Sequence, residues 1–113
     1  MMKKLLLTTI CLLIITTFGA FAQTVFKVGS KYDADIKVFA VNSKYDADLV
    51  VYEVKSKYDA DKDGRWFFTN SKYNAKKKVF FVKSKYDADL KVYFASSKYD
   101  AGWRNRSKQH LLK

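Results

Sequence analysis

The chain of 113 residues contains one cysteine, one histidine, four glycines and no proline. Each scarcity closes off an explanation. A lone thiol, Cys11, forms no disulfide within the chain, so no cystine framework holds the protein together. His110, the only histidine, sits in the tail, which leaves neither a Ser/His/Asp constellation nor a histidine metal cluster to assemble. No catalytic residues, cofactor or enzymatic activity are expected. With no proline and little glycine, the backbone also has few of its usual turn-makers.

The one long apolar run, Leu5 to Phe18, follows Met1-Met2-Lys3-Lys4 and precedes Ala20-Phe21-Ala22. A basic start, a short apolar core and a small-x-small site describe an export signal of residues 1–22, too short for a permanent span. The expected destination is the periplasm or the exterior, with no transmembrane span after removal, and Cys11 leaves with the signal. Residues 23–113 then form one domain of 91 residues whose charge falls from +11 to +9 with the loss of Lys3 and Lys4. A small exported domain without disulfides needs another means of persistence. Its positive balance favours polyanionic neighbours such as an acidic envelope polymer, lipid headgroups or nucleic acid, without sequence-specific nucleic-acid recognition.

What the sequence does have is one hexapeptide, over and over. SKYDAD occurs at Ser30–Asp35, Ser43–Asp48, Ser56–Asp61 and Ser84–Asp89, with altered copies SKYNAK at Ser71–Lys76 and SKYDAG at Ser97–Gly102. The starts are thirteen residues apart, except for fifteen between Ser56 and Ser71. Such self-similarity implies one supersecondary unit used repeatedly. Counting from each serine and discounting two extra residues in the third unit, Tyr at position three, Ala at five, Ile36, Leu49, Lys62, Lys77, Leu90 or Trp103 at seven and Val38, Val51, Trp66, Val79 or Val92 at nine share strand parity. They are therefore expected to form one buried face, with the tyrosines inside. The intervening Lys and Asp residues read as a ladder of alternating charges on the other face.

Apolar character then shifts to even positions, at Phe39, Tyr52, Phe67, Phe80 and Tyr93. That demands either a β-bulge near positions nine and ten or burial on both faces. The serines suit corners where their hydroxyls bond nearby backbone. The tail from Trp103 breaks the alternation and suits a short helix capped near Asn105.

These residues resemble the septoil-knot (seven-one knot) domain family. The likeness rests on the tandem x-Tyr-Asp-Ala-Asp-Leu-Lys-Val-Tyr-Phe units, best seen at Lys85–Phe94, and on the closing Ala101-Gly102-Trp103-Arg104-Asn105. The resemblance implies a compact all-β single domain wound into a deep seven-crossing torus knot. It brings no catalytic or ligand residues. The expected role is that of a monomeric, exported structural or interaction module, with binding to anionic surfaces as the alternative.

Two local features were weighed as sites. Asp59, Asp61 and Asp63 followed by Gly64 open like a calcium loop, but position twelve is Asn70 where a bidentate Glu is needed. A tight hairpin turn is the plainer reading. Lys72, Lys76, Lys77, Lys78 and Lys83, with Arg104, Arg106 and Lys108 of the tail, form the candidate polyanion contact. The rival reading is an inert solvated face.

Overall fold

A computed structural model describes residues 23–113; the expected export signal and Cys11 lie outside the described residues. Seven strands follow one another as β1 (Thr24–Lys27), β2 (Ile36–Ala40), β3 (Leu49–Glu53), β4 (Arg65–Phe68), β5 (Lys77–Phe81), β6 (Leu90–Phe94) and β7 (Gly102–Trp103). The hexapeptides between them are not strands. Five form 3-10 turns (Lys31–Asp33, Lys44–Asp46, Lys57–Asp59, Lys85–Asp87 and Lys98–Asp100), and a 3-10 helix, Arg106–Leu112, ends the chain. Asn105 caps that helix, accepting the Ser107 N–H.

The first six strands close into a barrel of parallel strands in the order β1–β5–β2–β6–β3–β4, with β4 returning to β1. Strands β1, β2 and β3 thus leave gaps that β5 and β6 fill on a second lap. Short β7 lies antiparallel on the early half of β3 (Leu49 opposite Trp103), while β4 takes the later half (Tyr52 opposite Arg65).

Counted from the most buried residue of each strand, every adjacent pair is offset by two residues. Val25 faces Lys77, Val79 faces Ile36, Val38 faces Leu90 and Val92 faces Leu49. The pairs Tyr52–Arg65 and Thr24–Phe67 keep the same step. Six steps of two residues give a stagger of twelve around the ring. With a rise of about 3.3 Å and a strand spacing of about 4.8 Å, the strands tilt by roughly 54° to the barrel axis.

That tilt explains the short connections. Parallel strands usually need a crossover of about a dozen residues or more, yet Val41–Asp48 alone joins β2 to β3. A strand this steep moves roughly two strand positions around the ring in its six or seven bonded residues. Its end therefore stands above the start of the next strand in sequence. The connector has only to run back down the outer wall.

Three levels of side chains point inward. The middle level is Val25, Val79, Val38, Val92, Val51 and Trp66, none more than 1% exposed. Five valines and one tryptophan fill a barrel of about 8 Å backbone radius, with Trp66 as the single large wedge. Among the described residues its indole N–H has no hydrogen-bond partner, so Trp66 serves by its volume and by an edge-on contact with Phe68 at 6.1 Å. The lower level includes Ile36, Leu49 and Leu90, and the tail helix brings buried Leu112 and half-buried Leu111 to this core.

Three expectations need correction. The tyrosines do not face the interior: Tyr32, Tyr45, Tyr58, Tyr73, Tyr86 and Tyr99 are 73–87% exposed. Strand parity does not extend through a 3-10 turn, so position three is not in phase with positions seven and nine. Of the alanines at position five, Ala47 and Ala60 are buried. Next, Asp63-Gly64 is a turn but not a hairpin, because the flanking β3 and β4 are parallel. Finally, pairing runs unbroken from Ile36–Val79 to Val38–Phe81 and needs no bulge there. Phe39, Tyr52, Phe67, Phe80 and Tyr93 are half-buried on the outer wall instead, so burial on both faces accounts for the change of parity.

Gly64 has φ +90°, and a Cβ built there would lie 2.6 Å from the Val50 carbonyl oxygen and 2.8 Å from the Gly102 nitrogen, both backbone. Gly29 has open space around it. Gly64→Ala should therefore cost more than about 2 kcal/mol. Gly29→Ala should stay within about 1 kcal/mol of wild type, as read from urea midpoints. Trp66→Ala should cost about 3–5 kcal/mol by the same measurement.

Candidate functional surface

The two aspartates of each hexapeptide have different tasks. In three of the four intact copies the second one joins the laps, whereas Asp61 of the third copy pairs with nearby Arg65. Asp35 Oδ2 accepts the Lys78 N–H (2.8 Å), Asp89 Oδ2 accepts that of Lys37 (2.9 Å), and Asp48 Oδ2 accepts that of Lys91 (2.9 Å). The backbone N–H of each aspartate donates to the carbonyl of that same lysine at 2.8 Å. Each is thus a two-point clamp on a strand from the other lap. Where the fourth copy has Lys76 in place of the aspartate, its N–H is taken by Thr24, through the carbonyl (2.9 Å) and Oγ1 (3.0 Å).

This replaces the expected charge ladder. Among the described residues the one ion pair is Arg65–Asp61 (3.1 Å), because the clamping carboxylates turn toward backbone and away from lysine. Asp63 is likewise occupied, accepting from Gln23 Nε2 (2.7 Å) and Trp103 Nε1 (2.9 Å). Asp59, Asp61 and Asp63 do not gather into a cluster fit for a metal ion.

The first aspartate belongs to the exposed corner. In five copies the serine hydroxyl accepts the tyrosine N–H (3.2–3.3 Å), fixing the start of the turn as a side-chain cap does. The lysine between them folds its ammonium over the neighbouring ring. The distances to the ring centroid are 5.4 Å for Lys31–Tyr32, 5.6 Å for Lys44–Tyr45, 5.3 Å for Lys57–Tyr58, and 5.4 Å for Lys72–Tyr73, Lys85–Tyr86 and Lys98–Tyr99. Arg104 also lies over Tyr45, at 5.2 Å. Asp33, Asp46, Asp59, Asp87 and Asp100 follow, exposed and without a side-chain partner among the described residues. The outer wall therefore repeats one chemical set: cation, aromatic ring, free carboxylate.

The basic residues singled out from the sequence do not form one patch. Lys77 and Lys78 lie on β5, with Lys72 and Lys76 ahead of it and Lys83 beyond it. Arg104, Arg106 and Lys108 belong to the tail, which bonds to Asp48 before β3 and, through Lys108 Nζ, to the Asp89 carbonyl (3.2 Å). Strands β5 and β3 stand on opposite sides of the ring. Two basic areas result, except that Lys76 borders the tail, lining a depression with Trp103, Gln109 and Lys113.

Sequence reasoning passed over position eleven, the inward level at the strand ends. Around the ring it reads Lys27, Phe81, Ala40, Phe94, Glu53 and Phe68. The rings touch in series, Phe68–Phe94 at 6.4 Å and Phe81–Phe94 at 6.2 Å, with Lys27 Nζ 5.0 Å from Phe81. They floor an open depression of about 570 Å³. Its parity with position nine was the available sign, masked because the residue type differs between laps.

Compared with known families, residues 22–104 match the sequence model described as the 7(1) septoil knot domain. The chain belongs to the septoil-knot family. No curated protein and no solved structure matches the chain. The septoil-knot match stops at Arg104, so the whole tail helix that brings Leu112 to the core lies beyond it. Among the described residues no helix is long and apolar enough to cross a membrane.

The clamps separate the two aspartates experimentally. Asp48→Ala removes an acceptor from Lys91 N–H and from Asn105 Nδ2 (3.2 Å) and should cost about 1.5–3 kcal/mol. Asp46→Ala, on the exposed corner, should stay within about 0.5 kcal/mol in the same urea titration.

Proposed function

We propose that the chain is an exported, non-enzymatic interaction module whose interlocked winding keeps it folded outside the cytoplasm. The observation that carries this is the order β1–β5–β2–β6–β3–β4, in which the second lap lies between the strands of the first. Closing such a two-lap path through β7 gives the seven-crossing knot for which the family is described. No strand of the first lap can then peel away without its neighbours being unthreaded. A chain without disulfides gains persistence in this way through its unfolding barrier, whatever its equilibrium stability. The export signal read at residues 1–22 supplies the setting in which slow unfolding matters, since proteases there are met without chaperone repair.

The second reading, contact with anionic surfaces, is favoured by a specific observation. The lysine and tyrosine of the corners stay the same in all six copies, while the aspartates after them give way to Asn74, Lys76 and Gly102. Nothing in the core uses those tyrosines.

Persistence is the testable part. The protein should resist trypsin despite its many lysines, with an unfolding half-life on the order of days in water. Repeat amides should exchange on that timescale. Digestion within minutes at native conditions would remove the reading.

A further inference from the structure

We propose that each Lys-Tyr-Asp corner is a subsite for a sugar unit of an acidic polysaccharide, so that the barrel binds such a polymer through several corners at once. This rests on the reading of the chain as an interaction module, and it moves the contact from the two basic areas to the turns. Lys31–Tyr32–Asp33 shows the chemistry. The tyrosine ring is 87% exposed, and the ammonium of Lys31 lies 5.4 Å from its centroid. The carboxylate of Asp33, next in the chain, is exposed and has no side-chain partner among the described residues.

The three groups ask for different things from one ligand. A ring held in water with only two torsions is a rigid, amphipathic platform, suited to stacking against the C–H face of a sugar. An ammonium beside that ring calls for an anionic substituent. A free carboxylate calls for donors, which sugar hydroxyls provide. A uronic or sulfated sugar supplies all three on one unit. A nucleic-acid backbone supplies the anion but few free hydroxyls to donate to the carboxylate, so the glycan is favoured.

The fold has its own use for only part of this set. The serine caps the turn, and the alanine and second aspartate serve the barrel. An exposed Lys–Tyr contact contributes little to stability. Yet the pair persists in the fourth copy, which has lost both aspartates, and in the sixth, which has lost the second. Four further corners repeat the arrangement around the outer wall, with ring exposures of 73–87%, and a fifth keeps the Lys72–Tyr73 pair but has Asn74 in place of the carboxylate. Weak subsites repeated on one rigid body bind a repeating polymer far more tightly than any one of them could.

The test is affinity electrophoresis or calorimetry of the protein purified from its producing cells. The probes are polygalacturonate, heparin, neutral dextran and single-stranded poly(dT). Polygalacturonate or heparin should bind at physiological salt and dextran should not. Tyr32→Ala/Tyr58→Ala/Tyr86→Ala together should weaken binding by about tenfold or more. The urea midpoint should stay near wild type, and the Tyr→Phe triple should keep most of the affinity. The proposal is overturned if neither acidic glycan binds, if the Ala triple binds as wild type does, or if poly(dT) binds more tightly than both glycans. Trypsin resistance of the same sample judges the durable-module reading separately: a resistant protein that ignores glycans loses only this inference.

Discussion

The constant two-residue offset between neighbouring strands is the constraint from which the rest of the molecule follows. It sets a tilt beyond the usual 35–45° of barrels, and that tilt carries a strand to a point above the start of its successor at every step but β3 to β4, which are direct neighbours. Connectors can then be short and need no crossover helix. Because they descend outside the wall, they expose whatever they carry. The corners are surface elements for the same reason that the valines are core.

Within that frame the two laps are held by different means. Inside, a level of five valines and Trp66 excludes water almost completely, which supplies most of the favourable free energy of a small domain. On the wall, the clamps of Asp35, Asp48 and Asp89 join backbone to backbone across laps. These hydrogen bonds use ionised acceptors and so rank among the stronger ones. They also fix register, because a strand shifted by one residue would present a carbonyl where the carboxylate needs an N–H.

Part of this was legible in the sequence. Valine recurring at position nine, with Ile36, Leu49 and Leu90 two residues earlier, marked the strands and their buried side correctly. Asn105 announced the tail helix, and the serines announced the corners. The tyrosines misled because strand alternation was carried back into a turn, where side chains follow a different period. The aspartates misled because charge pattern cannot tell a carboxylate that faces lysine from one that faces an N–H forty or fifty residues away. Strand order was not readable at all from the residues, since every unit is chemically equivalent to its neighbours. Only the resemblance of the units and their ending to a known family pointed to the winding.

The interleaving also dictates when structure can begin. The partners of β1 are β4 and β5, and those of β2 are β5 and β6. A chain emerging N-terminus first therefore offers β1 and β2 no mate until more than half of it is out. Only β3 and β4 meet as consecutive segments. Folding must wait for distant pairings, the regime in which high contact order makes it slow. On the export route proposed above, that delay would be an asset: the first half could not tighten prematurely and block its own passage through a pore.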